Sequence, residues 1–275
     1  VSLAIDQWYT RRQKDSEGDY YRKICLQSPQ NNVNSTTQGL YLATPDGKLL
    51  GFTNNRSPEW VREMLKKGLA KYEPAEAALL ENKNPDPNFN YHLPEGGLIL
   101  TVTSKVLSGY QAAVNAEVGF FQNSIGRDVL WLRKEEHQAL VRGELMESLK
   151  RRLAMYNLID NTRGEPHPWT VEEIKKLDLT LKNGVISGSV HLSNETGSRS
   201  YTCELRGTVE VKDGKVTRLD LVAKGPARGA SGCTTNSMPK GEFTLAVACR
   251  LATGQDEADK VMPQGAKSWF PDYMR

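Results

Sequence analysis

The side-chain period of two between Leu177 and Leu251 constrains this chain more than any other feature. Leu177, Leu179 and Leu181 alternate with polar residues up to Asn183-Gly184, after which Ile186, Gly188, Val190 and Leu192 alternate again. A period of two sends every second side chain to one face of a strand, and Asn-Gly between two such runs is the strongest local hairpin signal. The pattern then recurs. Glu195 to Ser198 makes a turn, Tyr201, Cys203 and Leu205 share a face, and Val209 and Val211 lead into Asp213-Gly214. Leu219, Leu221 and Ala223 return, and a last strand runs from Phe243 to Leu251. Hairpins at this spacing describe an antiparallel meander, either a curved sheet or a partial barrel. Such a sheet needs a cover for its apolar face. A long helix from Arg133 to Asn157 is the candidate, with Leu140, Leu145, Leu149, Leu153 and Tyr156 along one side. Two further strands read from Gly97 to Leu107 and around Asp128 to Leu132.

The chain has 275 residues, enough for about two cores. The boundary is placed in a linker over 74–96, where Asn82-Lys83-Asn84-Pro85-Asp86-Pro87-Asn88 interrupts any regular element. The first domain is then 1–73 and the second, an α+β domain with the meander at 177–251, is 97–275. No apolar run approaches the ~20 residues needed to span a bilayer, so membrane insertion is not expected. Basic and acidic residues number 36 and 33, a net charge of +3, which is far from the balance of a dedicated nucleic-acid binder.

Residues 1–73 begin with an apolar stretch, Val1 to Asp6, that reads as a strand. A polar helical stretch from Gln7 to about Leu26 follows, and then a loop rich in Asn, Ser and Thr. Gly39 to Ala43 and Lys48 to Phe52 flank Thr44-Pro45-Asp46-Gly47, a hairpin signature. Ser57 caps a helix with Pro58 at its first position, and Trp60, Val61, Met64, Leu65, Gly68, Leu69 and Tyr72 lie at helical spacing. This order of strand, helix, hairpin and helix, with Thr-Pro-Asp-Gly-Lys at the hairpin, resembles the C-terminal portion of the thioredoxin-like fold. The resemblance covers the first quarter of the chain. In that family a strand and a helix bearing Cys-x-x-Cys come before the segment matching Val1 to Asp6, and a cis-proline precedes the strand matching Gly39 to Ala43. This chain has no Cys-x-x-Cys, and Thr36-Thr37-Gln38 stand where the proline would be.

The four cysteines lack the paired spacing of a zinc site or a redox turn. Cys25 sits at a helix end. Cys203 and Cys249 are expected in the core, with a disulfide between them as the lesser alternative. Cys233, in the small-residue loop Gly229 to Thr235, is the candidate for a reactive thiol. The densest set of functional groups is the corner from Asp160 to Trp169. There Arg163 could clamp a carboxylate, His167 or Glu165 exchange a proton, and Trp169 wall a pocket. The simpler reading of the same corner is structural. Arg163 pairs with Asp160 or Glu165, Trp169 packs on the sheet, and Thr170 caps another helix with Glu173 three residues on. The carboxylate pairs Glu135-Glu136 and Glu172-Glu173 are placed in first turns of helices, where negative charge complements the dipole.

These residues together favour a non-catalytic interaction or ligand-binding protein of α+β class: a partial thioredoxin-like unit followed by an antiparallel meander packed with a long helix. Two alternatives stay open. One is a thiol or redox protein whose cysteine-bearing segment lies upstream of residue 1, and the other is a small-molecule enzyme using the 160–169 corner. No cofactor or metal is expected. The expected partner is a protein or a small molecule, and a homo-oligomer is compatible with the composition. Localisation is left open, with an extracytoplasmic one as an option if an N-terminal segment has been removed.

Overall fold

A computed structural model of the chain describes residues 3–74, 81–89, 91–111, 119, 122–232, 238–256, 259, 261–266 and 273–274. The chain is mixed α and β and divides into two compact units, 1–91 and 92–275.

In the first unit, residues 3–6 form no strand, contrary to the expectation for Val1 to Asp6. The reason is local. The Asp6 carboxylate accepts from the Trp8 N–H at 3.2 Å and starts the short helix α1, Gln7–Thr10. The single helical stretch expected from Gln7 to Leu26 is also divided. Asp15 begins α2, Ser16–Cys25, by accepting from the Gly18 N–H at 3.0 Å. Thr37 stands where the resemblance would place a proline. Its N–H donates to Gln7 at 3.1 Å, a bond proline cannot make, and its hydroxyl meets Tyr21 at 2.8 Å.

Strands β1, Leu40–Ala43, and β2, Leu49–Thr53, form the expected hairpin, with Tyr41 opposite Phe52 and Leu42 opposite Gly51. Gly47 takes φ +84°, the conformation its turn requires. Helix α3, Pro58–Leu69, packs on this hairpin with Met64 against Gly51 and Gly68 against Leu42. Ser57 occupies the position before α3, but its hydroxyl bonds the Glu59 carboxylate instead of capping a backbone N–H.

The second unit is built on one seven-stranded antiparallel sheet. Its strands are β3 (Leu98–Val106), β4 (Gly126–Leu132), β5 (Ile174–Lys182), β6 (Val185–Ser193), β7 (Ser200–Lys212), β8 (Lys215–Arg228) and β9 (Glu242–Leu251). Their order across the sheet is β4-β3-β9-β8-β7-β6-β5. Both two-residue turns of the meander have positive φ at each central residue, Asn183 (50°) with Gly184 (75°) and Asp213 (51°) with Gly214 (70°). That is the twist-matched geometry which Asn-Gly and Asp-Gly favour. One face carries Leu100, Leu130, Leu179, Val190, Leu205, Leu221 and Val247, all buried.

The long helix expected over Arg133 to Asn157 is not continuous. Helix α4, Lys134–Val141, stops where Gly143 takes φ +80°. The Gly143 N–H donates to the Leu140 carbonyl and the Glu144 N–H to the Ala139 carbonyl, a helix-ending pair of bonds that needs a left-handed residue. Helix α5, Glu147–Arg152, then runs into a π-helical turn, Leu153–Asn157. Leu149 and Leu153 project among Leu100, Leu130, Leu179 and Leu221. The π-helical turn touches β4 and β5, the two edges of the sheet. The sheet therefore curls around this helix, with β4 and β5 unpaired to each other.

Glu136 joins the two helices. It is fully buried and accepts from the Arg133 N–H at 2.9 Å, from the Arg133 guanidinium at 3.1 Å and from the Ser148 hydroxyl at 2.7 Å, while Arg152 completes the set. A buried carboxylate is tolerated when its lone pairs are filled in this way. Glu172 and Glu173 precede a strand and not a helix, because β5 begins at Ile174.

Candidate functional site

The 160–169 corner follows the π-helical turn, and its side chains bond mainly to one another. Asp160 accepts from the Thr162 N–H at 3.0 Å and from the Thr162 hydroxyl at 2.7 Å through one oxygen, and faces the Arg163 guanidinium at 2.6 Å through the other. Arg163 also donates to the Tyr110 hydroxyl at 3.0 Å. Trp169 is buried and donates its indole N–H to the Leu158 carbonyl at 3.0 Å. Arg199, immediately before β7, was not singled out in the sequence. Its guanidinium lies 3.8 Å from the Trp169 ring centre and donates to the His167 carbonyl at 2.8 Å. Burial lowers its pKa to about 10, against the opposing pull of Glu173 and Asp160.

His167 is exposed and engages the rest of the corner through its backbone, its N–H donating to the Ser231 hydroxyl at 3.1 Å. Glu165 is half-buried. Thr170 caps no helix. Its N–H donates to Glu173 at 2.9 Å, closing a turn that leads into β5. The open space beside Asp160, Pro166, Trp169 and Arg199 amounts to about 20 Å³, room for about one water.

The thiols are separated. Cys25, Cys203 and Cys249 are buried and free. Cys203 lies on β7 and Cys249 on β9, with β8 between them, so two inter-strand spacings of roughly 4.8 Å place them beyond disulfide reach. The disulfide alternative is thereby corrected. Burial pushes both thiols up to about 12, well away from the thiolate form. Cys233 lies outside the described residues. Among the described residues, no group of three or more His, Cys, Asp or Glu side chains is placed to hold a metal ion, and no helix is long and apolar enough to cross a membrane.

A larger opening lies elsewhere in the second unit, on the outer face of β3 and β4. The antiparallel register sets Thr101 opposite Val129 and Thr103 opposite Arg127, with these side chains on the face turned away from Leu100 and Leu130. Asp256, Asp259, Val261, Met262 and Gln264 border the same opening, and the Gln264 N–H donates to the Asp128 carboxylate at 2.9 Å. Asp128 also takes the Val129 N–H at 2.8 Å through the same oxygen. Between the strand pair and these residues is a groove of about 520 Å³. Ile125, Val129, Val261 and Met262 supply its apolar lining, and Thr101, Thr103, Arg127, Asp256 and Asp259 its polar lining.

The sequence reading missed this groove. Its residues come from three separate stretches and carry no motif, and the only trace of it was the outward half of a strand alternation. No protein-family model, curated protein or solved structure matches the chain.

Proposed function

We propose that this chain is a non-catalytic ligand-binding protein, and that its second unit holds a small ligand in the groove that Thr101, Thr103 and Arg127 of β3 and β4 line together with Asp256, Asp259, Val261 and Met262. The observation that carries this reading is the volume and mixed lining of the groove. About 520 Å³ falls within the roughly 300–1,000 Å³ of small-molecule sites, and an apolar wall with a few convergent polar groups is their usual composition. The corner argues in the same direction by contrast, since its Asp160, Arg163, Trp169 and Arg199 are engaged with one another around about 20 Å³. For the first unit, a thioredoxin-like relationship is proposed at the level of fold alone. Its support is the hairpin followed by a helix that packs on it.

The test is a screen of small soluble compounds by backbone amide spectra of the full chain. Hits should move the amides of Thr101, Thr103 and Arg127, and Thr103→Trp, which fills the groove from an exposed position, should abolish them. His167→Ala should leave binding unchanged. Shifts centred on Trp169 and lost in His167→Ala would transfer the site to the corner and sink this reading.

A further inference from the structure

We infer that the chain pairs with a second copy of itself along the free edge of β5, in antiparallel register about Thr180. The seven-stranded sheet ends in two edges, β4 and β5. On β4 the outward-facing backbone is met by side chains. Asn161 donates to the Arg127 carbonyl and Asn157 to the Val129 carbonyl, each at 3.4 Å. Arg152 donates to the Trp131 carbonyl and the Trp131 N–H to the Tyr273 hydroxyl, each at 3.2 Å. An edge filled in this way is closed to another strand.

The edge of β5 has no such cover among the described residues. The two-residue turn at Asn183-Gly184 makes Lys182 and Val185 a hydrogen-bonded pair, so Asp178 and Thr180 bond in the same way to Ser189 and Ser187 of β6. The residues between them, Leu177, Leu179 and Leu181, then turn their N–H and C=O groups outward, and among the described residues no partner meets those groups. The side chains of these leucines stay on the apolar face, Leu179 buried and the other two half-buried. Asp178, Thr180 and Lys182 are exposed on the opposite face.

The charge pattern of β5 names the occupant, because it complements itself. Two copies laid antiparallel about Thr180 set Leu179 of each opposite Leu181 of the other, which gives four backbone hydrogen bonds. On the exposed face Asp178 of each copy stands opposite Lys182 of the other, and the two Thr180 side chains face each other. Lysine on an edge strand ordinarily discourages pairing. In this register Lys182 meets a carboxylate and Lys176 stands opposite Gly184, so neither is opposed by a like charge. A register about Leu179 would set Lys176 against Lys182, and one about Asp178 would set aspartate against aspartate. Charge therefore selects Thr180 as the centre. The irregularity between Ile174 and Lys176 ends the pairable stretch just beyond Leu177. Such an interface uses the same residues on both copies and closes at two.

Sedimentation equilibrium of the full chain measures the association, and a dimer should form below about 1 mM. Asp178→Lys puts lysine opposite lysine at both charge pairs and Lys182→Asp puts aspartate opposite aspartate, so each should weaken the dimer by about tenfold or more. The double variant, Asp178→Lys with Lys182→Asp, exchanges the charges and should bring the affinity back to within about threefold of the original. Both positions are exposed, circular dichroism checks that the fold is kept, and either single variant carries the test if the other does not fold. Amide exchange at Leu179 and Leu181 should slow as the protein concentration rises. A chain that stays monomeric at about 1 mM, a dimer indifferent to the reversals, or a double variant as weak as the single ones would each overturn the proposal.

Discussion

Asp15 shows how much one carboxylate can organise. Burial by itself would raise its pKa, but N–H groups of Asp86 and Gly18 and the amides of Asn82 and Gln13 outweigh burial, and the value falls from 3.8 to about 2. The Asp86 N–H lies at 2.8 Å, so the same side chain starts α2 and fastens 82–88 to it. Because the folded-state pKa lies below the unfolded one, the stabilisation is fully present above about pH 4 and is lost as pH falls toward 2. Asp15→Asn should therefore destabilise the first unit by about 1 kcal/mol at pH 7, after allowance for solvent screening, and by almost nothing at pH 2. Urea titrations at the two pH values measure this, and an equal deficit at both would refute the electrostatic account. In the sequence, Asp15 is one aspartate among many polar residues. Its partners at 82–88 stand beyond the hairpin and α3, so its role could not be read locally. Glu136 is a similar case: its first-turn position was legible, while the ties to Ser148 and Arg152 depend on how α4 and α5 fold against each other.

At the level of elements, the turns were the most legible parts. Asn183-Gly184 and Asp213-Gly214 encode positive φ in two successive residues, and each hairpin follows from that requirement alone. The helix over Arg133 to Asn157 was misread because its apolar spacing stays nearly helical across a break. Gly143 was the available signal. With φ +80° and two closing hydrogen bonds to the preceding turn, it ends α4 before α5 begins. A Cβ at Gly143 would meet nothing within 4 Å, so Gly143→Ala tests backbone conformation without a steric clash. It should cost about 1 kcal/mol in denaturant unfolding, with unchanged far-ultraviolet circular dichroism. A gain in both stability and helical signal would mean that the two helices fuse readily and that the break is incidental. The strand expected at the N-terminus failed for a different reason. An apolar run becomes a strand only where a neighbour can pair with it, and Asp6 instead turns the chain into α1.

The whole molecule decides the state of the thiols. Alternation alone placed Cys203 and Cys249 inside, but only the strand order reveals that β8 separates them and keeps them as free, buried thiols. In a Cys233→Ser variant, an aromatic disulfide reagent at pH 8 should find almost no reactive thiol in the folded protein, and Cys25, Cys203 and Cys249 should all react in denaturant. Rapid reaction before unfolding would contradict their burial. By itself the sequence determined the antiparallel meander, its turns, and which face of each strand is apolar, because period-two patterning and positive-φ residues act over a few positions. Only the tertiary structure decided that β3 lies between β4 and β9, that the sheet curls about α5, and that Thr101, Arg127 and Asp259 share one groove. Those outcomes depend on pairing between distant segments, where burial and register are settled jointly and no short stretch of sequence holds the information.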